Sequence, residues 1–448
     1  MLDWRRSLSP TRASESPAPR TTTVSRVTVG NRIPARGGLR RDALISAVGS
    51  LGAAGLAGIT SIVITRQLGV SARGEWAVVS SLAVLIGTGC TLGLPAAAAY
   101  AAARTTGAQR LKVVGSMVAM CLPLSLLAAL IYLAAGPLVS SDSVHLALVL
   151  AGAPIALIAV WQHIGQQLTL TTLRLEWFAA VQLVPALAML LAIGGVVTLS
   201  GSLAVIDVIV ASVATSLLGT LLCLGGLAHD GFLRSASIGR PRAVIAVVRP
   251  YLAFAVLTFG TITLTQITQR VDVLLVSVLR GVRDAGLYAV ASQFGDLLLV
   301  LPAAIGYVMF RRGSTSTPEH WEDALRSIRW TAAAGVAMAL VLELSASEVV
   351  QILFGARYQP SVAAVRLLLP GIVLLSVQSV ISAYVASRGR PRVVLLAWLS
   401  GATFGVVADL IVIPIDGIRG AAVVSTLSYG LVLGLHISAL RALRPASS

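Results

Sequence analysis

Charge is what this 448-residue chain has least of. Asp, Glu, Lys and Arg make up only 12% of it, whereas 56% of the residues are apolar and the mean hydropathy is +0.88. A soluble protein of this length could not hide so much apolar surface, so the chain must use lipid as its solvent. Cysteine is almost missing. Cys90, Cys121 and Cys223 all fall in apolar stretches and lack metal-ligand spacing, which excludes a disulfide framework and a cysteine metal site. No Gly-x-x-x-x-Gly-Lys-Ser/Thr run occurs, so ATP is not hydrolysed through that phosphate-binding loop. Beyond residue 41 no connection exceeds about twenty residues, which leaves no room for a soluble catalytic domain or a long outer loop. An enzyme with a bound cofactor is therefore not expected.

What the chain does contain is itself, twice. Gly69-Val70-Ser71-Ala72-Arg73-Gly74-Glu75-Trp76-Ala77-Val78-Val79-Ser80 aligns with Gly281-Val282-Arg283-Asp284-Ala285-Gly286-Leu287-Tyr288-Ala289-Val290-Ala291-Ser292 at a constant offset of 212, with six of twelve positions identical. Downstream, Leu94-Pro95-Ala96-Ala97, Tyr100 and Arg104 recur as Leu301-Pro302-Ala303-Ala304, Tyr307 and Arg311. Repeated halves in an apolar chain are a mark of membrane transporters, whose substrate site lies between the halves.

Twelve apolar stretches of spanning length are expected near 42–65, 76–103, 113–138, 144–168, 178–199, 203–228, 251–278, 287–310, 328–354, 361–386, 393–413 and 420–440. Of the 34 basic residues, 26 fall on one side of this map and 7 on the other, with Arg270 inside a span. The positive-inside rule then places both termini in the cytoplasm and the chain in a bacterial cytoplasmic membrane. The net charge of +16 is thereby a topology signal, and no nucleic acid is expected as a partner. Six spans separate the two copies, so the halves are parallel repeats about an axis along the membrane normal. The expectation is an all-α polytopic membrane protein with a disordered basic cytoplasmic tail over 1–41, a first six-helix lobe over 42–240 and a second over 241–448. The tail, with nine Arg and no apolar core, reads as a segment lying against anionic membrane lipids rather than a cleavable signal peptide.

Several short patterns carry a resemblance. Leu68-Gly69 … Gly74-Glu75-Trp76-Ala77 is followed by Leu92-Gly93-Leu94-Pro95, and Asp272 by Gly281 … Gly286-Leu287-Tyr288 … Leu301-Pro302. Phe354-Gly355 … Tyr358, Arg388-Gly389-Arg390-Pro391 and Ile413-Pro414 … Gly417-Ile418-Arg419-Gly420-Ala421-Ala422 complete the set. In this order they resemble the oligosaccharide-lipid flippases of polysaccharide biosynthesis. These belong to a superfamily shared with multidrug antiporters and peptidoglycan-precursor flippases. The resemblance covers about residues 42–440 and implies two six-helix lobes in a V, a central cavity and alternating access.

Charged and polar groups within the spans mark candidate sites, since each needs a partner or a wet cavity in lipid. The seventh span is the richest. Thr258, Thr261, Thr265, Gln269 and Asp272 form one stripe at helical spacing, with Gln266 and Arg270 an i,i+4 pair along its border. In one reading Arg270 binds a pyrophosphate, because a guanidinium pairs with phosphate bidentately and stays charged. In the other it forms a structural ion pair, for which Asp296 is the expected mate because i,i+2 geometry excludes Asp272. Asp272 and Asp296 are the carboxylates to test if an ion gradient drives transport. In the fourth span, Gln162 and Gln166 with His163 and Gln167 either line the inner mouth and bond sugar hydroxyls or bond between helices. Arg66 closes the first span, where it reaches either substrate phosphate or the lipid interface. Asp207 and Asp409 mark span ends or cavity edges.

The resemblance and these residues together point to export of a polyprenyl-diphosphate-linked oligosaccharide for cell-surface polysaccharide, with glycosyltransferases or a polymerase of the same pathway as possible partners. A cation-coupled multidrug or small-molecule antiporter of the same fold and a non-transporting scaffold stand as alternatives. The aromatic content of 5% and the Arg in the richest span favour an anionic substrate over an organic cation. A peptidoglycan-precursor flippase fits less well, because the first span has no Arg before Arg66.

Overall fold

Lipid supplies no hydrogen bonds, so a chain this apolar must satisfy its backbone within helices. The computed structural model, which describes residues 36–140, 144–171, 175–232, 241–299, 319–388 and 391–443, is helical almost throughout, and no β-strand occurs among those residues. Helices α1 (Arg36–Gln67), α2 (Val70–Gly89), α3 (Leu94–Arg104), α4 (Gly107–Ala119) and α5 (Cys121–Val139) come first. They are followed by α6 (Leu146–Ala151), α7 (Ala153–Thr171), α8 (Leu175–Ser200), α9 (Val205–His229) and α10 (Pro241–Val248). A 3-10 turn at Arg249–Tyr251 leads into α11 (Leu252–Arg280), α12 (Val282–Leu298) and α13 (Glu319–Phe354). The 3-10 segment Ala356–Ser361 then precedes α14 (Val362–Ser387) and α15 (Pro391–Arg441).

Among the described residues, ten helical stretches are long and apolar enough to cross a bilayer. One of them, Arg392–Arg441, carries two of the expected stretches. At 1.5 Å per residue it would measure roughly 75 Å, more than twice the hydrocarbon thickness. It breaks at Gly417, whose backbone leaves the helical region at φ 58° and ψ −137°. The eighth expected stretch begins on α12 and continues outside the described residues, and Leu301–Ala304, Tyr307 and Arg311 lie outside them as well. Most of the basic tail lies outside them too, but α1 begins at Arg36, ahead of the expected boundary at 42. The second expected stretch is two helices. Leu92 (φ 48°) and Gly93 (φ 72°) turn the chain between α2 and α3.

Buried apolar residues gather in three clusters, two drawn from the first half of the chain and one from the second. The exceptions show where the halves meet. Ala77 joins the second-half cluster, and Leu274 and Val282 join a first-half one. Val244, Val248 and Ala255 belong to the other first-half cluster, so α10 and the start of α11 pack with helices that precede residue 240. Gly93 permits this, because a Cβ there would overlap the Ala255 carbonyl. Tyr100 of α3 adds to it, stacking on Phe254 with ring centroids 4.7 Å apart. Outward-facing Leu130, Leu191 and Leu344 leave an apolar exterior for lipid to cover.

The two copies of the repeat differ in one backbone feature. Gly281 precedes α12 at φ 93° and ψ 168°, a region essentially closed to other residues, and Gly355 adopts nearly the same angles before its 3-10 segment. Gly69, the counterpart of Gly281, sits at φ −65° with open space where a Cβ would point. Gly281→Ala and Gly355→Ala should each cost about 1–3 kcal/mol, whereas Gly69→Ala should be nearly neutral. Thermal unfolding of the purified variants in detergent checks this; equal losses at all three positions would contradict it.

Candidate functional site

Helix α11 carries most of the polar groups that the membrane must accommodate. Its threonines spend their hydroxyls on the helix itself: Thr258 donates to the Phe254 carbonyl, Thr261 to Leu257 (3.1 Å), Thr265 to Thr261 (2.8 Å) and Thr268 to Leu264 (2.8 Å). Such back-bonding satisfies hydroxyls in a lipid environment without a second helix. Gln266, Gln269 and Arg270 are half-buried along the same helix.

Asp272 is deeply buried, at 4% exposure, and is held by three donors. Its Oδ2 accepts from the Tyr288 hydroxyl at 2.6 Å and from Ser425 Oγ at 3.1 Å, and its Oδ1 accepts from the Val273 N–H at 2.8 Å. Tyr288 comes from α12 and Ser425 from the last limb of α15, so the carboxylate ties three helices together. Asp409, also 4% exposed, lies on the other limb of α15. The two limbs run antiparallel with Gly405 facing Ser428 and Gly401 facing Val432, which brings Asp409 to the level of Ser425. Gln269 and Asp272 line a cavity of about 30 Å³ with Ser292, Gly295 and Tyr429. That volume admits a water or an ion of similar size.

The polar residues of α7 bind other helices of the first half. Gln162 Nε2 donates to the Ser216 carbonyl on α9 at 3.2 Å, and Gln166 Nε2 to Gln182 Oε1 on α8 at 3.2 Å. His163 shares a 3.1 Å hydrogen bond with Thr88 of α2. This is the geometry of interhelical amide bonding. Arg66 is exposed in the last turn of α1. Asp296 lies in α12, and its pairing with Arg270 falls outside the described side chains. Asp207 starts a span: its Oδ2 accepts the Ala204 N–H at 2.9 Å, at the N-terminus of α9.

The structure therefore gathers Gln269 and Asp272 at one site, with Gln162 and Gln166 in separate contacts elsewhere. Sequence reasoning missed the partners of Asp272. Tyr288 was visible as the aromatic aligned with Trp76, and Ser425 lies in the last span, but nothing in the sequence shows that both meet Asp272 of α11. Among the described residues no group of three or more His, Cys, Asp or Glu side chains could hold a metal ion.

This architecture is that of a multi-pass membrane protein with a transporter fold. The chain is similar to the lipid II flippase MurJ in an inward closed conformation (TM-score 0.69, 15% identity, covering 89% of this chain and 87% of that one). It is also similar to an inward-facing multidrug resistance MATE family transporter (TM-score 0.63, 15% identity, 90% and 100% covered). A mutant of the Vibrio cholerae MATE transporter VcmN matches as well (TM-score 0.61, 13% identity, 91% and 96% covered). No curated protein shows a significant sequence match. The chain belongs to the polysaccharide biosynthesis protein family, whose model matches residues 39–310.

Removing one donor from a buried carboxylate leaves it under-satisfied, a loss of about 1–3 kcal/mol. Tyr288→Phe should therefore lower the melting temperature in detergent more than Ser425→Ala, which removes the longer of the two bonds. Equal stability of Tyr288→Phe and the parent would mean that the carboxylate does not depend on this bond.

Proposed function

We propose that the protein flips a polyprenyl-diphosphate-linked oligosaccharide across the cytoplasmic membrane for cell-surface polysaccharide biosynthesis. Membership of the polysaccharide biosynthesis protein family carries this reading. The fold it shares with a lipid II flippase supports it. No covalent chemistry is required. Two conformations must bind the substrate with different affinity, one open to each side. The basic bias of the loops supports a topology with both termini in the cytoplasm and the starts of α2 and α12 outside.

In this scheme Arg270, with Gln266 beside it on α11, pairs with the pyrophosphate, and the glycan follows through the polar region between the lobes while the polyprenyl tail remains in lipid. Asp272 and Asp409, both buried on helices of the second half, are the carboxylates on which a proton or monovalent cation would act, since neutralising Asp272 changes the hydrogen bonds that join α11, α12 and α15. A second reading, a cation-coupled antiporter of small molecules, is favoured by the same buried carboxylates and by the MATE neighbours.

Flipping of a fluorescent polyprenyl-diphosphate oligosaccharide in proteoliposomes tests the proposal. Wild type should transport, and Arg270→Ala should lose on the order of tenfold to a hundredfold in rate, the worth of a charge-assisted phosphate contact. Transport of organic cations with none of the lipid-linked glycan would favour the antiporter. Equal flipping by both proteins would remove Arg270 from the site.

A further inference from the structure

The two copies of the twelve-residue repeat touch each other. Gly74 and Gly286 hold equivalent positions in them, as do Val70 and Val282. A Cβ on Gly74 would overlap the carbonyl oxygen of Val282, and a Cβ on Gly286 would overlap the carbonyl oxygen of Val70. The latter would also stand 3.0 Å from the Gly74 backbone nitrogen, so backbone meets backbone with no side chain able to yield. A contact in which one patch meets its own equivalent is isologous, the geometry of a twofold interface. Close approach through small residues is also how membrane helices associate where lipid removes the hydrophobic drive.

Further contacts gather at the same end. Tyr358, fully buried in the second half, points its hydroxyl at the carbonyl oxygens of Thr65 (3.0 Å) and Leu68 (3.1 Å). The Thr65 carbonyl belongs to the last turn of α1, where no intrahelical donor remains. Arg73, 7% exposed, donates from Nε to Thr65 Oγ1 at 3.0 Å.

We propose that the repeat is a latch: its two copies clasp each other to hold the halves of the chain together at this end, and Gly74 and Gly286 set how firmly it closes. The recurrence of the sequence follows, because a self-complementary contact needs the same small residue at the same position on both sides. Given the topology proposed above, the latch seals the outer face and must part for release. That clause rests on the transport reading; the clasp itself does not.

An added methyl penalises only the closed state, so Gly74→Ala and Gly286→Ala should shift the population towards the open one. Ser277→Cys reports this. Ser277 is 2% exposed and lies one turn beyond Leu274, which packs in the first-half cluster. Labelling of this thiol by a membrane-impermeant maleimide added outside intact cells should be slow in the parent. It should rise on the order of tenfold with Gly74→Ala or Gly286→Ala, as an overpacked contact implies. With Gly69→Ala, where a methyl meets nothing, it should stay unchanged. The native thiols Cys90, Cys121 and Cys223 are all buried and contribute little background. If the glycine variants fail to reach the membrane, Tyr358→Phe, which adds no volume, should raise labelling in their place. Parent-level labelling in variants present at parent abundance would overturn the latch, as would an equal rise with Gly69→Ala. Because the readout needs no substrate, labelling that rises while glycan flipping fails would leave the latch standing and remove the flippase reading.

Discussion

Lipid offers polar groups no hydrogen bonds and gives helices no hydrophobic reason to associate, and most features of this structure answer to those two facts. Hydroxyls on α11 turn back to their own helix, and amides on α7 reach the helices beside them. Asp272, a deeply buried carboxylate, draws donors from α12 and α15. Where no polar group helps, helices close on one another through glycine, as at Gly93 against α11 and at the paired Gly74 and Gly286. The halves are held by shape and by a few satisfied polar contacts, a combination that can separate without stranding many unpaired groups.

The proposed transport cycle, which alternates between two states, calls for an arrangement of that kind. Within the second half, Asp272 joins α11 to α12 and α15 through its hydrogen bonds to Tyr288 and Ser425. Between the halves the closest approach is backbone to backbone, at Gly74 and Gly286. The proposed roles follow this division: substrate and coupling charges on α11 and α15, opening and closing at the repeat.

Much of this architecture was legible in the chain. Hydropathy located the spans, because a helix that must cross lipid has to be continuously apolar for the thickness of the hydrocarbon. The repeat pointed to two related halves. What the sequence could not show was contact between residues far apart along it. Tyr288 was aligned with Trp76 yet gave no sign that its hydroxyl meets Asp272, and Asp409, a span end or a cavity edge by its sequence, is buried at the level of Ser425. The boundary at 240 followed a basic loop, but packing carries α10 and the start of α11 over to the first half, since Gly93 and Tyr100 create a surface for them there. Gly69 and Gly281 looked equivalent, and only the backbone distinguishes them. The expected partnership of Arg270 with Asp296 falls outside the described side chains.

The central claim is that the protein moves a lipid-linked glycan from the inner to the outer leaflet, and the position of that glycan in living cells tests it most directly. In cells depleted of the protein, lipid-linked oligosaccharide should accumulate facing the cytoplasm, protected from a glycan-cleaving enzyme added outside and exposed to it once inverted vesicles are prepared. Restoring the protein should return the pool to the outside. An unchanged amount and sidedness of the pool after depletion would contradict the account.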